Sequence, residues 1–377
     1  MRLTVKGLIM EFTRLKPCLI TSLPLPDFAK GVIFLGAKGE NMKKIIAITL
    51  SLALLIVGAL SAGCQKSPDA VAVKYFSSAP DMLPMLKKGE LTVGLLPEPA
   101  ATQLTKVASD KTWYRMDVQE LYDDEVKAYP QAVMLVKSSL LSTFPNLVSD
   151  MASKFSINVA WVKENAGSAV GAVNSHLESG ATPSLNASVI TSQVVDNCKI
   201  YWQGADDAAQ SVKDYIDAII DIDEMSAKAV SDDLFYSGTA SGTFTSDAVK
   251  VVAPDGAPAL AIAKFISDNE SFNTGKAFNY SVVSANKIGA AVQQGTGDIV
   301  ILPVNAASKL YAAYANDTYK LVSVVTHGNL YIMSSEEISD VTELKEKTIG
   351  VIGQGLVPDL TLKAVFAKYN LVLEAAI

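Results

Sequence analysis

The residue types that most often carry chemistry are scarce in this chain. Histidine occurs only at His176 and His327, cysteine only at Cys18, Cys64 and Cys198, and arginine only at Arg2, Arg14 and Arg115. These few positions have neither zinc-site spacing nor a disulfide framework. No Gly-x-Ser-x-Gly turn presents a serine nucleophile at a strand end. An enzyme is therefore not expected, and no cofactor or metal is implied. What the sequence does offer is recognition chemistry. Four short stretches each follow an apolar run and precede a helical one: Asp255-Gly256-Ala257-Pro258, Pro303-Val304-Asn305, Gly353-Gln354-Gly355-Leu356 and Pro97-Glu98-Pro99. A strand-to-helix loop offers free backbone N–H groups at the helix start. Glycine lets a ligand approach the backbone closely, and Asn305 and Gln354 can both donate and accept. The expected contacts are Asp255, Gly256, Ala257, Gly328, Asn329, Gly353, Gln354, Gly355 and Glu98, with Asn305 the first choice. Glu98 has a competing role as a cap on its own helix. Arg115 is expected to lie away from these loops, which argues against a bidentate arginine clamp on a ligand carboxylate.

The elements that must position these loops form a repeat. Gly89-Glu90-Leu91-Thr92-Val93-Gly94-Leu95-Leu96-Pro97 parallels Gly297-Asp298-Ile299-Val300-Ile301-Leu302-Pro303. One copy reads as strand 250–253, helix to 268, strand 278–284, helix 286–294, strand 299–303, helix to 314 and strand 320–325. The other copy is divided between the chain ends. Strand 348–352 and helix 358–369 stand late; strand 71–76, helix 81–88, strand 91–96 and helix 100–109 stand early. Strands alternating with helices imply open parallel sheets with helices on both faces. Two such copies imply an α/β fold of two similar lobes. The order predicts circular permutation, such that joining Ile377 to Val71 would complete the second lobe. The Gly/Ser/Thr-rich stretch 239–247 reads as the linker between the old termini. The expected organisation is therefore lobe 2 from 71–137 plus 345–377, a helical region 138–238 packing mostly on lobe 1, the linker 239–247, and lobe 1 from 248–344. Ligand would sit beyond the carboxyl ends of the strands, with Gly328 and Asn329 beside the hinge. His327 reads as a packed hinge residue.

The front of the chain reads differently. Lys43 and Lys44 precede an apolar run, Ile45–Leu60, which ends in Leu60-Ser61-Ala62-Gly63-Cys64. Its length and small-residue end are those of an export signal. The ending resembles a bacterial lipobox, which implies cleavage before Cys64 and diacylation of its thiol. Two acyl chains suffice for stable anchoring. Residues 42–63 are then the signal peptide and 64–70 a tether. Residues 1–41 are expected to be an upstream extension ahead of a start at Met42.

The motifs Leu96-Pro97-Glu98-Pro99-Ala100-Ala101-Thr102, Tyr129-Pro130-Gln131-Ala132, Asp232-Asp233-Leu234-Phe235-Tyr236, Leu302-Pro303-Val304-Asn305-Ala306-Ala307 and Gly328-Asn329-Leu330-Tyr331 carry a resemblance. Together they resemble the nitrate/sulfonate/taurine and thiamine-pyrimidine-precursor class of ABC transporter solute-binding proteins, over essentially residues 71–377 once the permutation is undone. The resemblance implies a two-lobed, type II periplasmic-binding-protein-like fold, with crossovers at 132–137 and 330–336 and lobes that close on a solute. It implies ABC permease subunits as partners, a monomeric state, and a location on the outer face of the cytoplasmic membrane. The solute could be an anion such as sulfonate or nitrate, or a pyrimidine-like molecule.

The bulk composition agrees with a globular exported protein. The 377 residues are 49% apolar, with a net charge of −7. No basic stripe is present to neutralise a phosphate backbone, so nucleic acid is not an expected partner. The alternative to import is a lipid-anchored solute sensor or partner-binding module on the same fold.

Overall fold

The structure, a computed structural model, describes residues 69–375 apart from 124, 126–127, 294–296 and 315–317. The signal, the lipobox with Cys64 and the upstream extension lie outside the described residues. The chain begins with β1 (Ala70–Phe76), α1 (Ala79–Lys88), β2 (Val93–Pro97), α2 (Ala100–Val107), β3 (Tyr114–Asp117), α3 (Val118–Tyr122) and β4 (Pro130–Lys137). A helical stretch follows: α4 (Ser138–Thr143), α5 (Leu147–Glu164), α6 (Ala166–Ser175) and α7 (Ser192–Asn197). Next come β5 (Ile200–Gly204), α8 (Ala205–Ile222) and β6 (Ala248–Pro254). The remainder is α9 (Ala257–Leu260), α10 (Ala263–Asp268), β7 (Ala277–Val283), α11 (Ile288–Gln293), β8 (Ile299–Pro303), α12 (Val304–Ala313), β9 (Tyr319–His327), β10 (Leu330–Ser334), β11 (Thr348–Ile352), α13 (Val357–Lys368) and β12 (Val372–Ala375).

These strands make two six-stranded sheets, in the orders β12-β1-β11-β2-β10-β3 and β5-β9-β4-β8-β6-β7. Within each sheet the same pattern recurs. β11 lies parallel between β1 and β2, as β6 lies parallel between β7 and β8. An antiparallel strand comes next, β10 in one sheet and β4 in the other, and then β3 or β9 beyond it. β2, β8 and β11 are buried on nearly every residue, as strands covered on both faces must be. β7 alternates exposed and buried residues, as fits its place at an edge.

The antiparallel strands are exchanged. β4 leaves the first sheet after β3 and pairs in the second, while β10 leaves the second after β9 and pairs in the first. The crossings therefore fall before these strands. Residues 130–137 and 330–334 belong to the sheets they enter, whereas the sequence reading drew its boundaries at 137 and 344. The two crossings touch: the Gly328 N–H donates to the Tyr129 carbonyl at 2.9 Å. A Cβ on Gly328 would lie 2.5 Å from Tyr129 Cε1 and 2.8 Å from Gln119 Cγ, so no larger residue fits there undisturbed.

Three further departures have local causes. The helix expected through residue 268 is broken between α9 and α10. The buried Asn158 of α5 accepts from the Lys264 N–H at 2.8 Å and donates to the Leu260 carbonyl at 3.0 Å, so a side chain takes the place of ladder bonds. β5 lies inside the stretch read as helical; it is a short edge strand stopped by the Gly204 entry to α8. β12 was not anticipated, and it changes the geometry of the proposed join. It runs parallel to β1 with Ala375 opposite Val73, so the chain there is heading away from Val71. A direct connection to Val71 would need a reversing loop.

Apolar packing does not divide cleanly between the sheets. One cluster holds α4–α6 and α10 against the second sheet, around Phe155, Phe265 and Phe278. Another holds α1 and α2 against the first, around Met82, Leu86 and Leu104. The largest joins both sheets: Val212, Tyr215, Ile216 and Ile219 of α8 share a core with Leu360 and Phe366 of α13, Leu95 of β2 and Leu302 of β8.

Candidate functional site

The carboxyl ends of three parallel strands from each sheet converge on one cavity of about 340 Å3. β1 contributes Ser77 and Ser78, β2 contributes Glu98, β11 leads to Leu356, β6 leads to Asp255, β7 leads to Ser284, and β8 ends at Pro303. Gln131 of β4, Asn329 at the crossing into β10, and Gly180, Ala181, Thr182 and Ser184 of the loop after α6 also line it. This is the crevice that open α/β sheets form beyond their strand ends. The lining is rich in small residues, with Ala and Pro the most frequent and Ser next.

Asp255 is held by the Ser184 N–H, which donates to Oδ2 at 2.7 Å, while Oδ1 is buried without a partner. Desolvation raises its pKa above the usual carboxylate value. Gly256 follows with φ 109° and ψ −150°, a conformation closed to residues with a side chain, and so turns the chain sharply into α9. Ala257 lies on the same wall.

Glu98 is 1% exposed and accepts from Thr102 N at 3.1 Å and Thr102 Oγ1 at 2.9 Å, so it serves the first turn of α2. It also pairs with Arg115 at 2.8 Å. Arg115 lies over the Tyr331 ring, 3.4 Å from its centroid. The expectation that Arg115 lies away from the loops is thus corrected. β3 and β2 flank β10, and the arginine reaches across that strand to the loop after β2.

Asn329 is 1% exposed; its Nδ2 donates to the Cys198 carbonyl at 3.5 Å, and its Oδ1 has no partner. Gln131 belongs to the Tyr129-Pro130-Gln131-Ala132 motif but not to the expected contacts, and its Oε1 is likewise buried and unpartnered. The signal for it was its place at the start of a strand entering from a crossing.

The other candidates stand elsewhere. Gly353 and Gln354 line an adjoining hollow of about 310 Å3 with Tyr75 and Phe76, which shares Ser77, Asn286 and Leu356 with the first. Asn305, Gly328 and Gly355 line neither hollow. Asn305 is a stitch: its Nδ2 donates to the Ser226 and Gly355 carbonyls, each at 3.1 Å, tying the start of α12 to the loops after α8 and β11. The buried Asp359 accepts from Gly355 N and Tyr75 Oη, both at 2.8 Å, and pairs with Lys363.

His327 ends β9, stacks on Tyr201 with ring centroids 3.6 Å apart, and shares a hydrogen bond between Nε2 and Gln203 Oε1 at 3.0 Å. Burial pushes its pKa down to about 4. Cys198 is buried, and burial raises its thiol well above the ordinary range. Among the described residues no group of His, Cys, Asp and Glu is placed to hold a metal ion. No described helix is long and apolar enough to cross a membrane.

The described residues thus define a mixed α/β protein whose two sheets meet over a cleft. No family model matches the chain, and no curated protein matches it. Among solved structures, the crystal structure of NikA from Brucella suis in complex with Fe(III)-EDTA is similar at 9% identity and a TM-score of 0.26. That likeness covers 70% of this chain, which spans 58% of the NikA chain.

Proposed function

We propose that this protein is an extracytoplasmic solute-binding lipoprotein of an ABC importer, anchored through Cys64 and built as a circular permutation of two lobes. One observation carries the reading: strand ends from both sheets, together with residues beside the two crossings, line a cavity sized for a small molecule. The lobes are the two sheets with their helices, and the exchanged strands β4 and β10 are the paths about which they would close. Permutation is supported by the repeated strand order and by the placement of β1 and β11, adjacent in the first sheet but at opposite ends of the chain. The polar, Gly-containing stretch 239–247 then joins the former termini.

The test is a thermal-shift screen of the full chain with pyrimidines, sulfonates, nitrate, amines and amino acids. A true ligand at a hundredfold over its Kd adds about 2.7 kcal/mol to stability, an easily read shift. A cooperative melt moved by one class supports the reading. A cooperative melt that no small solute moves counts against it.

A further inference from the structure

From the chemistry of the cavity wall we infer that the cleft takes a nitrogenous cation, an amine or amidinium that donates hydrogen bonds, rather than an oxyanion. The inference rests on the binding-protein reading and narrows it.

Three buried oxygens of the wall lack a partner: Asp255 Oδ1, Gln131 Oε1 and Asn329 Oδ1. All three are acceptors. A buried acceptor left unmade is costly, and a ligand bearing N–H groups would satisfy it. The charges point the same way. The charged wall residues are Asp81, Glu98, Asp255 and Lys287. Glu98 is already paired with Arg115 at 2.8 Å, and Lys287 with Glu178 at 3.1 Å. Among the described residues no cation pairs with Asp81 or Asp255, so the uncompensated charge facing the cavity is negative.

An oxyanion would need donors; three of the helix starts at the cavity already carry carboxylates, α9 follows directly on Asp255, and α12, with no acidic residue in its first turn, reaches the cavity only through Pro303. Asp81 stands in the first turn of α1, Glu98 accepts from the first turn of α2, and Asp359 stands in the first turn of α13 and holds Gly355 N. The positive ends of these helices are therefore largely offset before any ligand arrives.

The experiment is calorimetric titration of the full chain with benzamidine, its uncharged analogue benzamide, taurine and nitrate, each checked by thermal shift. The expected result is binding of benzamidine, at least about tenfold weaker binding of benzamide, and no response to taurine or nitrate. Asp255→Asn keeps an oxygen for the Ser184 N–H and should weaken benzamidine at least about tenfold. Gln131→Met removes one acceptor at nearly constant volume and is the second variant should Asp255→Asn fail to fold; it should weaken benzamidine severalfold. Binding of taurine or nitrate without benzamidine would overturn the cation and leave the binding protein standing. Benzamidine binding indifferent to whichever of these variants fold would also overturn it. A cooperative melt with no response to any probe would sink both.

Discussion

His327 sits where the chain leaves β9 for the crossing, buried against Tyr201 and Gln203. Its folded pKa, pushed down to about 4, lies below the ordinary histidine value of about 6.5. The unfolded chain therefore takes up the proton first as pH falls. Its contribution to stability is present in full above pH ~6.5 and is lost between there and pH ~4, on the order of 3 kcal/mol in total. Urea melts at pH 7, 5 and 4 should show a smaller acid loss in His327→Gln than in the parent. Gly328 makes a sharper demand. Gly328→Ala drives a methyl group into the Tyr129 ring and should cost about 1–3 kcal/mol, read as a lowered Tm. Asn305 and Gln131 show what sequence alone could reach. Asn305 looked like a ligand contact because it follows a strand-to-helix corner, yet its amide is spent on two carbonyls from distant segments. Gln131 was passed over because nothing local marks a residue that enters a cleft only through an exchanged strand. Arg115 was misplaced for the same reason, since its partner lies two strands away in the sheet.

Legibility was better for elements than for residues. Strands buried on both faces appear as continuous apolar runs, and β2, β8, β11 and their neighbouring helices fall within a few residues of their expected bounds. β5 and β12 are short edge strands without such a run, and the α9–α10 break depends on Asn158 from another helix. The element with the widest reach is α8, whose apolar side packs on α13 and so ties the second sheet to the first. Tyr215 adds a hydrogen bond of 2.6 Å to Thr361 of α13. Phe366→Ala on α13 should cost about 3–5 kcal/mol. Because the core is shared, the loss should appear as one earlier transition. Far-UV circular dichroism and, in a Trp113→Phe background, the fluorescence of Trp161 and Trp202, which pack in the second sheet's own cluster, should report it together.

At the scale of the whole molecule, the proposed permutation makes its own prediction. A chain running 239–375, then a flexible loop of about eight residues, then 70–238, keeps the buried Phe244 with its N–H bond to Thr143 and should fold cooperatively with a Tm within a few degrees of the parent. The loop is needed because β12 ends level with Val73. Failure of that chain to fold would mean that the unbroken passage from 238 to 239 is itself required, and would count against the permutation. The proposed anchor at Cys64 has a separate test: labelled palmitate should enter the protein in bacterial cells, and Cys64→Ser should abolish the label and release the protein from the membrane fraction.

The arrangement of the first sheet also sets a clock. β1 is synthesised early, yet both of its neighbours, β11 and β12, stand near the other end of the chain. Translation at about 5–20 residues per second leaves β1 without either partner for tens of seconds while the intervening chain is made. For that interval its edge groups have nothing native to bond. A polypeptide so ordered stays threadable until it is nearly complete, a state that suits passage through a narrow pore and equally exposes it to chaperones and proteases on the way.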